Sequence, residues 1–156
     1  MSIPAKSDWG EIDKDDLDAN HAFEQFFEKS FQEAINLFEQ NALFYQEDLQ
    51  SMPPSAFNFY APALVEYLNS GNAAGDSDGA SSFLRMFIWM LKTNREVISK
   101  ESGHLLFETS FEISQKQDFY DADIDIYGKF SDLFEEIKYL VWEESKINCN
   151  NSSKSI

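Results

Sequence analysis

The sequence predicts a mostly α, compact single-domain helical bundle of about four to six helices. Three observations carry that prediction. Apolar residues recur at helical spacing in four long blocks. The chain has 156 residues, of which 43% are hydrophobic and 15% aromatic, enough for one core of ordinary size despite a net charge of −16. Only one stretch alternates like a strand, and a lone strand has no pairing partner. Fifteen of the residues are Phe, and disordered acidic chains are poor in aromatics.

Residues 1–18 read as an acidic flexible arm, in which Asp8, Glu11, Asp13, Asp15, Asp16 and Asp18 face only Lys6 and Lys14. Trp9, Ile12 and Leu17 mark a part of it that packs down. Residues 19–147 read as the helical domain and 148–156 as a disordered polar tail. The first helix is expected from about Asn20 to Asn41, because Phe23, Phe27, Phe31, Ala34 and Phe38 recur every three or four residues, with Phe26, Ile35 and Leu37 widening the stripe. Asp18 or Asn20 is its cap, and Glu24 suits the positive end of the helix dipole.

A second helix is expected between Ser51 and Leu68. Pro53 and Pro54 suit first helical positions, where no amide partner is lost, and Phe57, Tyr60, Leu64, Tyr67 and Leu68 keep helical spacing. Pro62 has no N–H to offer the Asn58 carbonyl, which predicts a kink or a break into two shorter helices. The Asn69–Gly75 segment is a loop. A third helix opens at Asp76-Ser-Asp-Gly and runs to about Thr93, apolar on most sides and so central. A short turn over Asn94–Lys100 ends near Gly103. Over 105–113, Leu105, Phe107, Thr109, Phe111 and Ile113 alternate with Leu106, Glu108, Ser110 and Glu112. Helix or irregular structure is the preferred reading there, with a short β element as the alternative. The last helix carries Ile126, Phe130, Leu133, Ile137 and Leu140, with Asp123 and Asp125 at its N-terminal end.

Composition and motifs exclude much chemistry. Counterion release on phosphate backbones needs Lys and Arg, so a chain this acidic is not expected to bind nucleic acid or anionic lipid directly. The apolar run Phe83–Leu91 is about half the length of a membrane span and is interrupted by Arg85. The N-terminus lacks the apolar stretch of a signal peptide, and Cys149, the single cysteine, has no partner for an internal disulfide. A cytoplasmic location without membrane association is the expectation. Asp121-Ala-Asp-Ile-Asp matches the first calcium-loop positions, but Ile126 stands where that loop needs Gly and Asp132 where a bidentate Glu is usual. Asp76-Ser-Asp-Gly fails as well, with Ala74 and Arg85 at its ligand positions. Two His, in His21-x-x-Glu24 and His104 with Glu108, fall short of a zinc set. No nucleophile–base constellation, phosphate loop or dinucleotide fingerprint appears, so neither enzyme activity nor a metal or cofactor is expected.

The block Met52-Pro-Pro-Ser-Ala-Phe-Asn-Phe-Tyr-Ala-Pro-Ala-Leu64, followed by Tyr67-Leu68 and Asp76-Ser-Asp-Gly, resembles small bacterial immunity-type proteins encoded beside polymorphic toxins, which share a Pro-Pro-x-Ala-Phe-x-x-Tyr-x-Pro core. The resemblance covers residues 45–92. It implies a small helical cytoplasmic protein and transfers no functional residues.

Charge completes the functional expectation. Residues 1–78 hold 15 acids and 3 bases, whereas residues 79–156 hold 13 acids and 9 bases. No Lys or Arg lies between Lys29 and Arg85. Self-repulsion of this size is tolerated where it serves solubility or attraction to a basic partner. The expected function is inhibition of a cationic toxin or effector domain by occlusion. Glu47, Asp48, Glu66, Asp76, Asp78, Asp118, Asp121 and Asp123, acids with aromatic neighbours such as Tyr45, Tyr67 and Phe119-Tyr120, are the candidate contact residues. A monomer or homodimer fits this role. The alternatives are a secretion chaperone or adaptor, which needs a stable dimer and an exposed apolar groove, and a DNA-mimic regulator, which needs carboxylates spaced like phosphates.

Overall fold

In a computed structural model, which describes residues 1–152 with side chains as far as Cys149, the described chain is all helix and turn. Eight α-helices are formed among the described residues: α1 (Lys6–Trp9), α2 (Leu17–Phe26), α3 (Phe31–Leu49), α4 (Pro54–Leu68), α5 (Ser77–Thr93), α6 (Lys100–Ser114), α7 (Ile124–Tyr127) and α8 (Phe130–Ser152). Six of these are longer than a single turn, in keeping with the expected bundle.

The apolar block from Asn20 onward is two helices, not one. Phe27 turns extended (ψ 133°) and Glu28 takes a left-handed conformation (φ 62°), a backbone cost on the order of 1 kcal/mol. Ser30 then caps α3: its hydroxyl accepts from the Glu33 N–H at 3.2 Å while the Glu33 carboxylate accepts from the Ser30 N–H at 2.8 Å. That reciprocal pair holds the Glu33 carboxyl below its usual pKa through the Ser30 backbone bond. Within α3, Asn41 leaves helical geometry (φ −164°, ψ 88°), and its side chain accepts from the Phe44 N–H at 3.0 Å. Asn41 thus acts as an internal cap and redirects residues 42–49.

Helix α4 packs chiefly on α3, α5 chiefly on α8, and α6 lies against both α4 and α8. Ten residues of α4 are buried. The predicted break at Pro62 does not occur: α4 continues through it with helical geometry. Asn58 and Pro62 are half-buried and Glu66 is exposed, so Pro62 lies on the wettest stripe of the helix, where an unpaired Asn58 carbonyl costs least. The Asn58 side chain ties this stripe to the turn after α5, donating to Val97 O at 2.9 Å and accepting from Ser99 N at 3.0 Å.

Other boundaries also differ from the sequence expectation. The leader is no free arm, since α1 buries Trp9 against Phe23 (ring centroids 5.3 Å apart) while Leu17 stays exposed. Gly103 lies inside α6, because Ser99 caps that helix by accepting from Ser102 N–H at 3.1 Å. Residues 105–113 belong to α6 and form no strand: Leu106, Thr109, Ser110 and Ile113 share one buried face at helical spacing. Ile126 is 74% exposed in the single turn α7, which Gly128 (φ 73°) separates from α8. Gln117 completes that junction by accepting from Phe130 N–H and donating to Gly128 O. The expected tail from 148 is helical as far as Ser152, and its remainder, 153–156, lies outside the described residues.

Buried tyrosines pin the connections. The Tyr60 hydroxyl shares its proton between Phe26 O at 2.7 Å and Lys29 O at 2.9 Å, closing the α2–α3 turn onto α4. Burial pushes its pKa up to about 12. Tyr120 likewise donates to Leu68 O at 2.7 Å, at the end of α4. Replacing Tyr60 by Phe leaves the Lys29 carbonyl without this donor and is expected to cost about 1–2 kcal/mol. For a chain of this size that is a drop of roughly 3–8 °C in melting temperature. An unchanged melting curve for Tyr60→Phe would mean that the hydroxyl does not hold this turn.

Candidate functional site

Three helices converge on a cleft of about 540 Å³. Helix α2, capped by Asp16 accepting from Ala19 N–H, supplies Asp18 and His21. The redirected end of α3 supplies Phe44, Glu47 and Asp48, and α5 supplies Trp89. The Asn41 cap turns residues 42–49 off the axis of the preceding turns, whose Phe38 already packs on Phe26 of α2.

Asp48 is the only charged residue buried among the described residues, with a side chain 6% exposed. Its Oδ1 lies 2.6 Å from His21 Nδ1. Its Oδ2 is buried and has no hydrogen-bond partner. A buried carboxylate is costly unless it is paired and hydrogen-bonded, and here one oxygen meets that condition and the other does not. The Asp48 hydrogen bond raises the His21 pKa, with nearby Glu24 and Asp18 adding to it. Burial raises the Asp48 pKa against the opposing pull of His21. Both groups therefore hold protons more tightly folded than unfolded.

The cleft is also aromatic. Trp89 is 41% and Phe44 46% exposed. The His21 ring meets Phe44 edge-on at 5.4 Å. Carboxylates beside exposed aromatic faces suit a cationic, partly apolar guest. The His21–Asp48 pair has the orientation a general base requires, but no hydroxyl or thiol among the described residues hydrogen-bonds His21. Nor does any group of three or more His, Cys, Asp or Glu side chains among the described residues form a metal-binding set.

The eight acids singled out from the sequence divide into two groups and one outlier. Glu47 and Asp48 line the cleft. Asp76, Asp78, Asp118, Asp121 and Asp123 gather where the loop before α5 meets the segment 117–127, joined by Gly75 N–H donating to Phe119 O at 2.9 Å. Most of these acids have structural employment. Asp76 caps α5 through Gly79 N–H and accepts from the Tyr67 hydroxyl at 2.7 Å. Asp78 accepts from the Tyr127 hydroxyl at 2.8 Å, and Asp123 caps α7. Asp121 takes a left-handed conformation (φ 51°) beside Gly75, whose own φ of 79° and close approach to Asp121 Oδ2 leave no comfortable place for a side chain. Asp118 is exposed. Glu66 is exposed on α4 and belongs to neither group.

Sequence reasoning missed His21, Asp18, Phe44 and Trp89 as members of one site. His21 entered only as part of an incomplete zinc set, Trp89 as part of an apolar helix, and Tyr45 as the aromatic neighbour of Glu47-Asp48. Tyr45 instead packs edge-on against Phe26, at 6.2 Å. The one available signal was Trp89 itself, placed on the helix flank opposite Phe87 and Leu91.

Comparison with family models, with curated proteins and with solved structures returns no match. No helix among the described residues is long and apolar enough to cross a membrane.

The two raised pKa values fix the sign of a pH effect. The His21 contribution is fully present below its unfolded value of 6.5 and is lost as pH rises through the folded value. The Asp48 contribution likewise declines as pH rises from 3.8 towards its folded value. Thermal stability is therefore expected to fall more steeply between pH 5 and pH 8.5 in the wild type than in Asp48→Asn, which removes the Asp48 contribution and the largest part of that of His21. Melting curves recorded across that range check this, and parallel slopes would refute the pairing.

Proposed function

We propose that the protein is an immunity-type inhibitor that binds a cationic toxin or effector domain through the acidic surface of its first half and blocks it by occlusion. The observation that supports this reading is where the counter-charges lie. Of the seven ion pairs formed among the described residues, six involve acids beyond residue 79, five of them with Lys or Arg, such as Lys92–Glu136, Arg95–Glu144 and Lys116–Glu112. Among the described residues, Asp48 is the only acid of residues 1–78 with an ion-pair partner, His21. The remaining acids of that half cap helices or stand in water, where their field steers a basic partner and raises its association rate.

A secretion chaperone or adaptor is the second reading, and one observation favours it. An apolar cleft of about 520 Å³ opens between the N-terminal residues Met1 and Ile3 and the side chains of Phe31, Phe59, Pro62 and Leu105. A groove of this kind suits an extended apolar segment of a client.

Affinity capture from the host with tagged protein separates the two. The inhibitor reading expects one stoichiometric basic protein, with an association rate that falls about tenfold or more as salt rises from low to high. Replacing Glu47 and Asp18 by Lys should slow association further. Recovery of a self-dimer carrying many salt-insensitive clients would move the assignment to the chaperone.

A further inference from the structure

We propose that the cleft between α2, the end of α3 and α5 is a receptor for a single arginine side chain, its guanidinium seated against Trp89 and Phe44 and held by Asp18, Glu47 and Asp48. The inference rests on the basic-partner reading and names the group by which that partner is anchored. It stands on a cavity rather than on charge density alone. The cleft has about 540 Å³ of space, two exposed aromatic walls and no Lys or Arg in its lining.

A second observation points to a guest that donates hydrogen bonds. Asp48 is nine-tenths buried, lines the cleft, and keeps one carboxylate oxygen, Oδ2, without any donor. An acceptor left unmet in this way costs on the order of 1–3 kcal/mol, more if charged. Oδ2 lies just beneath the cleft surface, so a donor entering the cleft recovers that cost once the side chains over it part. His21 does not cancel the site's charge. Whether the His21–Asp48 pair is ionic or neutral, its two members balance, and Asp18 and Glu47 remain to hold the cleft negative.

Arginine fits these features better than lysine. Its guanidinium is flat, stacks on aromatic faces, sheds water more readily than an ammonium, and carries five N–H donors spread over a fork. One face can therefore lie on Trp89 while the edge reaches two or three carboxylates at once. An ammonium is a compact, strongly hydrated charge and uses the aromatic walls less well.

The test is an NMR titration of the intact protein with N-acetyl-argininamide, with N-acetyl-lysinamide and the neutral isostere N-acetyl-citrullinamide as controls. Argininamide should shift the Trp89 indole N–H together with the amides of His21 and Asp48 in a saturable way, and bind roughly tenfold tighter than either control. Phe44→Ala and Glu47→Gln alter exposed side chains, so the fold persists, and each should weaken binding several-fold. Equal shifts from argininamide and lysinamide, or shifts spread over the acidic leader and absent from the cleft, would overturn the proposal. The same variants in the salt-graded capture keep the two readings apart. A basic protein captured equally by wild type and Phe44→Ala would leave the acidic inhibitor standing and remove the anchor. Arginine seated in the cleft with no basic protein captured would leave the anchor and remove the inhibitor.

Discussion

Because α4 buries ten of its fifteen residues and exposes only Pro54, Ser55 and Glu66, the helices around it must cover it on all sides but one. Helix α3 takes the largest share of that surface and α6 another, while α1 and the turn after α5 close the remainder. Phe57, Tyr60, Leu64 and Leu68 are withdrawn completely from water. Each large apolar side chain so buried stabilises the fold by about 1.5–3 kcal/mol relative to exposure. The tyrosines add direction to this burial. Apolar contact alone would let a connection slide, whereas Tyr60 and Tyr120 each reach a particular carbonyl and fix where a turn must lie. That fixing matters for the cleft, since the α2–α3 turn held by Tyr60 sets how His21 faces Asp48.

The charge distribution follows a second rule. A chain with net charge −16 repels itself, and its acids are placed to limit the damage. Asp16, Glu33, Asp76 and Asp123 sit at helix starts, where unpaired N–H groups and the dipole welcome them. Beyond residue 79, six of the thirteen acids, all on α6 and α8, have basic partners among the described residues. Arg95 is the clearest case: it salt-bridges Glu144 and donates to Leu91 O and Leu140 O, stitching α5 to α8. Among the described residues, the acids of the first half have one such partner, His21 on Asp48. Asp48 departs from both patterns, being neither a cap nor a surface acid. A carboxylate carried into the interior with one oxygen unmet is a cost the fold does not need for packing, and it lies in the same cleft as two exposed aromatic rings.

Several boundaries that differ from the helical periodicity were nonetheless written in the residues. Ser30-x-x-Glu33 is a capping box and ends the preceding helix on its own, although the Phe stripe runs straight through it. Gly128 punctuates the Ile126–Leu140 series in the same way. Residues 105–113 carry two periods at once, alternation and the 106, 109, 110, 113 stripe. The helical period prevails because α4 and α8 offer it a surface on one side, and no strand among the described residues rewards the other. Pro62 was a sound reason to expect a break. What defeats it is position, for the lost hydrogen bond falls on the one stripe that water reaches.

The sequence by itself determined the helical class, the approximate place of each long helix, the phenylalanine-rich core and the skewed charge, because these follow from periodicity and composition within a few turns of chain. Only the tertiary structure decided which of those acids share a site. Asp48 meets His21, 27 residues away, on a stretch redirected by an internal cap at Asn41, with Glu47 lining the same cleft and Trp89 arriving from a third helix. Hydrophobic patterning states that a face is buried but not against what. The partner of a buried carboxylate is therefore set by how helices pack, which no local spacing encodes.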